Sequence, residues 1–211
     1  MFPVEPLTLL AFIPAGLALN LTPGADMMFC LGQGLKSGRQ AAMAANAGIA
    51  VGGMVHTLLA ALGLGALVKA HPEAFELIRW LGVGYLLWLA LGALRASPFA
   101  PDAQAQVVRT ATGRAFWQGL MVNLLNPKVI LFILAFLPQF VDPTRPILPQ
   151  FLTLGLVFSL GGLLVNGAVG LFAGSIGQRV ARSAGLARWL SRISATIFGA
   201  LALRLALMPR S

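Results

Sequence analysis

The chain has 211 residues, 58% of them hydrophobic and 10% charged, with a mean hydropathy of +0.84. A soluble domain of this length carries roughly 25% charged residues, so a water-covered globular surface is excluded and an outer surface facing the lipid bilayer is expected. The net charge of +9 would suit nucleic acid, but the basic residues fall between apolar runs without interleaved stacking aromatics, so nucleic acid is not an expected partner.

Six apolar runs follow in chain order, at about 6–35, 41–69, 74–96, 115–138, 148–177 and 186–207. None alternates apolar and polar residues, and each is too long for a barrel strand, so an all-α membrane protein with six transmembrane helices is predicted. The first run opens behind Met-Phe-Pro-Val-Glu-Pro, which lacks a basic leader and a small-x-small cleavage site, and reads as a retained helix. An unbroken helix from Leu7 to Leu35 would be about 43 Å long, more than a bilayer core of about 30 Å needs. Pro23 removes a backbone donor and Gly24 adds freedom, so NLTPGADMMFC should kink or unwind the helix. Asp26 lies ten residues before Lys36, about 15 Å along a helix, which puts it near mid-membrane.

The second run carries His56, and the fifth carries Asn166, each a few residues beyond a glycine pair. A membrane histidine can relay protons, and either side chain can simply make one hydrogen bond between helices. The fourth run, NLLNPKVILF, places Asn123, Asn126, Pro127 and Lys128 in an apolar span. A charge at that depth costs about 2.5–3.5 kcal/mol and normally faces the bundle interior. Gly34/Gly38, Gly48/Gly52 and Gly170/Gly174 are spaced for close helix packing, and Trp117 and Trp189 read as interface anchors. Cys30 is the only cysteine, so no disulfide or thiolate metal cage can form within one chain, and no cofactor is expected.

The two halves echo each other. Pro23-Gly24 and Asn126-Pro127 lie about half a chain apart, Trp80 and Arg95 share the fifteen-residue spacing of Trp189 and Arg204, and Gly52-Gly53 match Gly161-Gly162. Two three-helix halves cross the membrane in opposite senses, so one transporter domain over 1–211 is predicted. Its inverted repeats cover about 1–96 and 114–211, joined by a loop at 97–113, with helices 1 and 4 broken at proline. The connections at 36–39, 95–114 and 179–192 hold Lys36, Arg39, Arg95, Arg109, Arg114, Arg179, Arg182, Arg188 and Arg192, against Lys69, Arg79, Arg145, Arg204 and Arg210 on the other side. The richer side should be cytoplasmic, leaving both termini outside.

Paired helix breaks are the strongest sequence pointer to a transporter binding site. Their freed N–H groups attract a carboxylate and their freed carbonyls an ammonium or cation. The candidate substrate-binding residues are therefore Asn20, Pro23, Gly24, Asp26, Asn123, Asn126, Pro127, Lys128, His56 and Asn166, and a small zwitterion is the expected ligand. Against this stands a purely structural role, in which Asp26 and Lys128 neutralise each other and pin two helices. An inorganic cation or metal-ion transporter is the competing function, although two histidines and one cysteine provide poorly for a soft metal and no resident metal site is expected. No exposed GxSG-type serine or cysteine pair recommends an enzyme.

The stretches LTPGADMMFCLGQGLKSGRQAAMAANAGIAVGGMVHTLLAALGLGAL and FWQGLMVNLLNPKVILFILAFLPQFVDP resemble the first two helices, and the fourth helix with its following loop, of LysE/RhtB-type amino-acid exporters. The resemblance covers nearly the whole chain. It implies a multi-pass exporter of amino acids or their derivatives in the bacterial inner membrane, driven by the proton gradient, with a homo-oligomer left open. It points to Pro23, Gly24, Asp26, Asn123, Asn126, Pro127 and Lys128. The family's helix-1 motif often has a second proline where Ala25 stands, which predicts a milder break here.

Overall fold

The computed structural model describes residues 3–70, 74–95, 110–173 and 184–207, and these are helical with no strand among them. The helices are α1 (Pro6–Leu21), α2 (Ala25–Ser37), α3 (Arg39–Ala70), α4 (Ala74–Arg95), α5 (Thr112–Leu124), α6 (Pro127–Ala135), α7 (Ile147–Leu171) and α8 (Ala184–Ala206). A 3-10 turn, Leu137–Phe140, extends α6. The predicted connection at 71–73, residues 97–109 and 179–183 of the next two connections predicted at 97–113 and 179–188, and Gly174 lie outside the described residues.

Arg39–Gly63 and Ile147–Leu171 are long and apolar enough to cross a membrane, and each of the pairs α1/α2 and α5/α6 qualifies if taken as one bent span. The axis turns by 53° between α1 and α2 and by 54° between α5 and α6 and its 3-10 extension. The two breaks therefore bend the chain almost equally. Each lies at a proline with extended backbone beside it. Pro14, by contrast, lies inside α1 without ending it.

α3 and α7 form the centre of the bundle: they pack on each other, α3 also lies against α2 and α5, and α7 against α1 and α2. α4 and α8 pair beside them. Small residues permit the approach, since a Cβ on Gly48 would strike the Phe116 carbonyl and one on Gly34 the Gly170 carbonyl. Gly38, at φ 88°, makes the left-handed turn that joins α2 to α3. An aromatic stack of Phe12, Phe132, Phe136, Phe140 and Phe158 fills the space between α1, α6 and α7, with Phe132 and Phe158 centroids 4.9 Å apart. Outward-pointing Leu7, Leu125 and Leu164 are 74–77% exposed, as a lipid-facing surface requires.

At the end of the bundle where α1 and α7 begin, Arg145 reaches Glu5 at 2.9 Å and Asp142 at 3.2 Å. Buried Gln150 holds the same loop, accepting from the Asp142 N–H at 2.8 Å and donating to the Asp142 carbonyl at 2.9 Å. Hydrogen bonds from the Thr144 hydroxyl and N–H, followed by the Arg145 charge, hold the Asp142 carboxyl below the usual carboxylate range.

Candidate functional site

Pro23 has no N–H, so the carbonyl four residues earlier, on Leu19, has no partner within α1. Thr22 closes the helix in an extended conformation, its N–H bonded to Ala18, and Gly24 follows fully extended. The same rule applies at the second break. Pro127 leaves the Asn123 carbonyl without its helical donor, while Asn126 caps α6 by accepting from the Lys128 N–H at 3.1 Å.

Side chains from across the molecule take these orphaned carbonyls. The Lys128 Nζ donates to Leu19 and Thr22, both at 2.7 Å. Nε2 of His56, on α3, lies 3.3 Å from the Asn123 carbonyl, which also accepts from the Asn126 N–H at 2.9 Å. A carbonyl only accepts, so this contact is a hydrogen bond in the tautomer that carries its proton on Nε2. Asp26, in the first turn of α2, accepts from Asn123 Nδ2 at 2.8 Å and from Asn126 Nδ2 at 3.0 Å. No direct ion pair joins Asp26 to Lys128 among the described residues. Each charge is held by dipoles supplied from the opposite half.

Between the breaks lies a small cavity of about 20 Å³. Asn20, Gly24, Asp26, Asn126, Lys128 and Asn166 line it, with Met27, Val129 and Phe158 as its apolar wall. Pro23 and Pro127 form the breaks themselves. Asn123 and His56 stand behind the cavity, Asn123 holding Asp26 and His56 holding Asn123. All ten residues singled out from the sequence thus converge, eight at the breaks and His56 and Asn166 from the central helices.

The asparagines ahead of the two prolines are seated alike. Asn20 donates to the Phe158 carbonyl at 3.1 Å and lies over Gly161, where an added Cβ would come within 2.9 Å of its Nδ2. Asn123 lies over Gly52, where an added Cβ would come within 2.6 Å of its Oδ1. Each glycine pair noticed in the sequence therefore makes room for an asparagine of the other half. Asn46 instead pins α3 to α7 through the Leu163 carbonyl at 2.8 Å, away from the cavity.

Sequence reasoning missed Tyr85, the only tyrosine. Its hydroxyl donates to the Lys128 carbonyl at 2.7 Å and so ties α4 to the start of α6. The Leu19 and Thr22 carbonyls were also missed. Counting four residues back from Pro23 would have found the first of them.

An apolar helical bundle with buried charges gathered where two helices break has the architecture of a membrane transporter. Sequence comparison supplies the particular family: the chain belongs to the LysE type translocators, whose profile matches residues 17–209. It is 36% identical to an uncharacterized membrane protein of Vibrio cholerae over 70% of this chain and 71% of that protein. It is also 36% identical to the homoserine/homoserine lactone efflux protein of Salmonella typhimurium over 69% of this chain and 70% of that one. The Salmonella typhi protein of the same description is 34% identical over 74% and 75%. No solved structure matches the chain.

Proposed function

We propose that this chain exports amino acids or amino-acid derivatives across the bacterial inner membrane, coupled to protons, with two inverted three-helix halves exposing one central site alternately. The observation that carries this reading is the exchange of polar groups between the breaks: Lys128 serves the end of α1, Asn123 and Asn126 serve Asp26, and His56 serves the end of α5. Packing of α3 on α7, and of α4 on α8, agrees with a two-fold relation between the halves. α4 and α8, at 22 and 23 residues, have the length of a span, which makes six with α3, α7 and the two bent pairs. The positive-inside count puts both termini outside.

The ten converging residues are the proposed substrate site. Relatives described as exporting homoserine and homoserine lactone suggest a ligand with a free α-amine and a carbonyl. Asp26 has lone pairs left for the amine, and Lys128 has one N–H left for the carbonyl or carboxylate. Asp26 is the proposed carrier of the coupling proton, which would compete there with the substrate amine. The cavity holds about one water in this conformation, so loading substrate requires the halves to separate. The function is tested in proteoliposomes loaded with a panel of amino acids, homoserine and its lactone included, under an imposed pH gradient. Gradient-stimulated efflux of at least one member is expected, and no efflux across the panel would refute the reading.

A further inference from the structure

The carbonyls at the broken end of α1 form a cation seat, and this chain fills that seat itself. Leu19 and Thr22 point two oxygens at one nitrogen, at 2.7 Å each, from the partially negative end of a helix. Freed carbonyls of this kind coordinate a free cation in transporters with discontinuous helices. Here the occupant is Lys128 Nζ. We propose that Lys128 is a tethered cation: its ammonium takes the place of a free monovalent ion at the end of α1, so transport needs neither sodium nor potassium, and removing the side chain leaves a site for a small ammonium ion.

Three features of the site support the assignment. The Lys128 backbone is fixed on both sides, its N–H by Asn126 and its carbonyl by Tyr85, which aims the side chain across at α1. Gly24 lies against the ammonium: a Cβ there would come into van der Waals contact with Nζ at 3.4 Å. Finally, the ammonium donates to the two carbonyls, while the Asp26 carboxylate accepts from two amides of the other half. His56 faces the other break. Two of the three N–H groups of the ammonium are committed, which leaves one for the cavity.

The inference rests on the exporter reading only in its transport arm. With the full-length protein in proteoliposomes, homoserine efflux should be unchanged when sodium and potassium are replaced by N-methylglucamine. Lys128→Ala should lower efflux by about tenfold or more. Ethylammonium should restore several-fold of that loss, whereas tetramethylammonium, which has no N–H, should not. Independently of transport, ethylammonium at about ten times its Kd should raise the Tm of K128A by roughly 3 °C and leave the wild type unmoved. Sodium-dependent wild-type efflux, wild-type efflux from K128A, or a folded K128A whose Tm ignores ethylammonium would each overturn the proposal. If the wild type exports nothing, the exporter reading fails and the Tm arm alone decides. If K128A does not fold with or without ethylammonium, Lys128→Gln decides, since its amide offers two N–H groups without a charge. Loss of export from a folded K128Q whose Tm ignores ethylammonium upholds the tethered charge, and wild-type export or an ethylammonium response from K128Q overturns it.

Discussion

The two helix breaks bend the chain almost equally, by 53° and 54°, yet they are built differently. The second is largely complete in itself. Asn126 caps α6, and Pro127 occupies the first helical turn, where its missing N–H is harmless. The first is incomplete. Gly24 precedes α2 with no side chain to cap it, and at the end of α1 the Leu19 and Thr22 carbonyls accept from Lys128 of the other half. Its cation and the donors for its carboxylate come from residues 123–128. In return the second break takes His56, at a longer 3.3 Å, and the Tyr85 hydroxyl, at 2.7 Å, neither of them from the first break itself. The dependence is therefore lopsided: damage at the second break should disable both, while damage at the first should stay local.

The largest effect is expected from Asp26→Asn. The substitution keeps the size of the side chain but removes the charge that two amides and the proposed proton coupling require. Gradient-driven efflux should be lost while membrane insertion and yield remain; normal efflux would remove Asp26 from the mechanism. Asn126→Ala comes next, because it deletes the cap of α6 and one donor to Asp26 together. The cap is worth about 1 kcal/mol and the charged hydrogen bond about 1.5–3. Denaturant unfolding should show a loss near their sum. Asn20→Ala removes one interhelical bond, worth about 0.6 kcal/mol in a membrane. If the two asparagine variants were equally destabilised, the lopsided dependence would be wrong.

Much of this site could be read in the sequence because proline, asparagine, aspartate and lysine are conspicuous inside apolar runs. The breaks at Pro23 and Pro127, and the convergence of Asp26 with the NLLNPK stretch, followed from that contrast. The partners could not be read as easily. Lys128 binds backbone carbonyls, which are the same in every residue, so charge complementarity alone pointed to Asp26 instead. Tyr85 stayed hidden for a related reason: its hydroxyl meets a main-chain oxygen 43 residues away, and only the docking of α4 on α6 brings them together. The turn itself falls on Thr22 and Gly24, both extended, while Ala25 already sits in α2.

His56→Leu tests one of the two side chains, with Tyr85, that the first half lends to the second break. Asn123 keeps its turn bond from Asn126 when the imidazole is gone. The expected loss is therefore about 0.6 kcal/mol, that of one interhelical hydrogen bond. Export should fall less than twofold to threefold, far short of the loss expected for K128A. An effect as large as that of K128A would make the breaks equivalent, and the rate measured beside the Tm would separate a transport role from a structural one.

The smallest effect lies where the halves meet at the surface, in the loop that Arg145 ties to Glu5. Asp142 has its carboxyl held low by Thr144 and then by Arg145, so its folded pKa lies below its unfolded value near 3.9. The stability it contributes is fully present above that unfolded value and is lost as the pH falls through the folded one. Asp142→Asn should therefore lower the Tm slightly at pH 6, and the two melting curves should converge as the pH falls through the folded pKa. Because the carboxylate is 43% exposed, the difference should also shrink in high salt. A gap that persists in acid would assign the effect to loop geometry held by Gln150, which donates to three carbonyls here irrespective of the charge on Asp142.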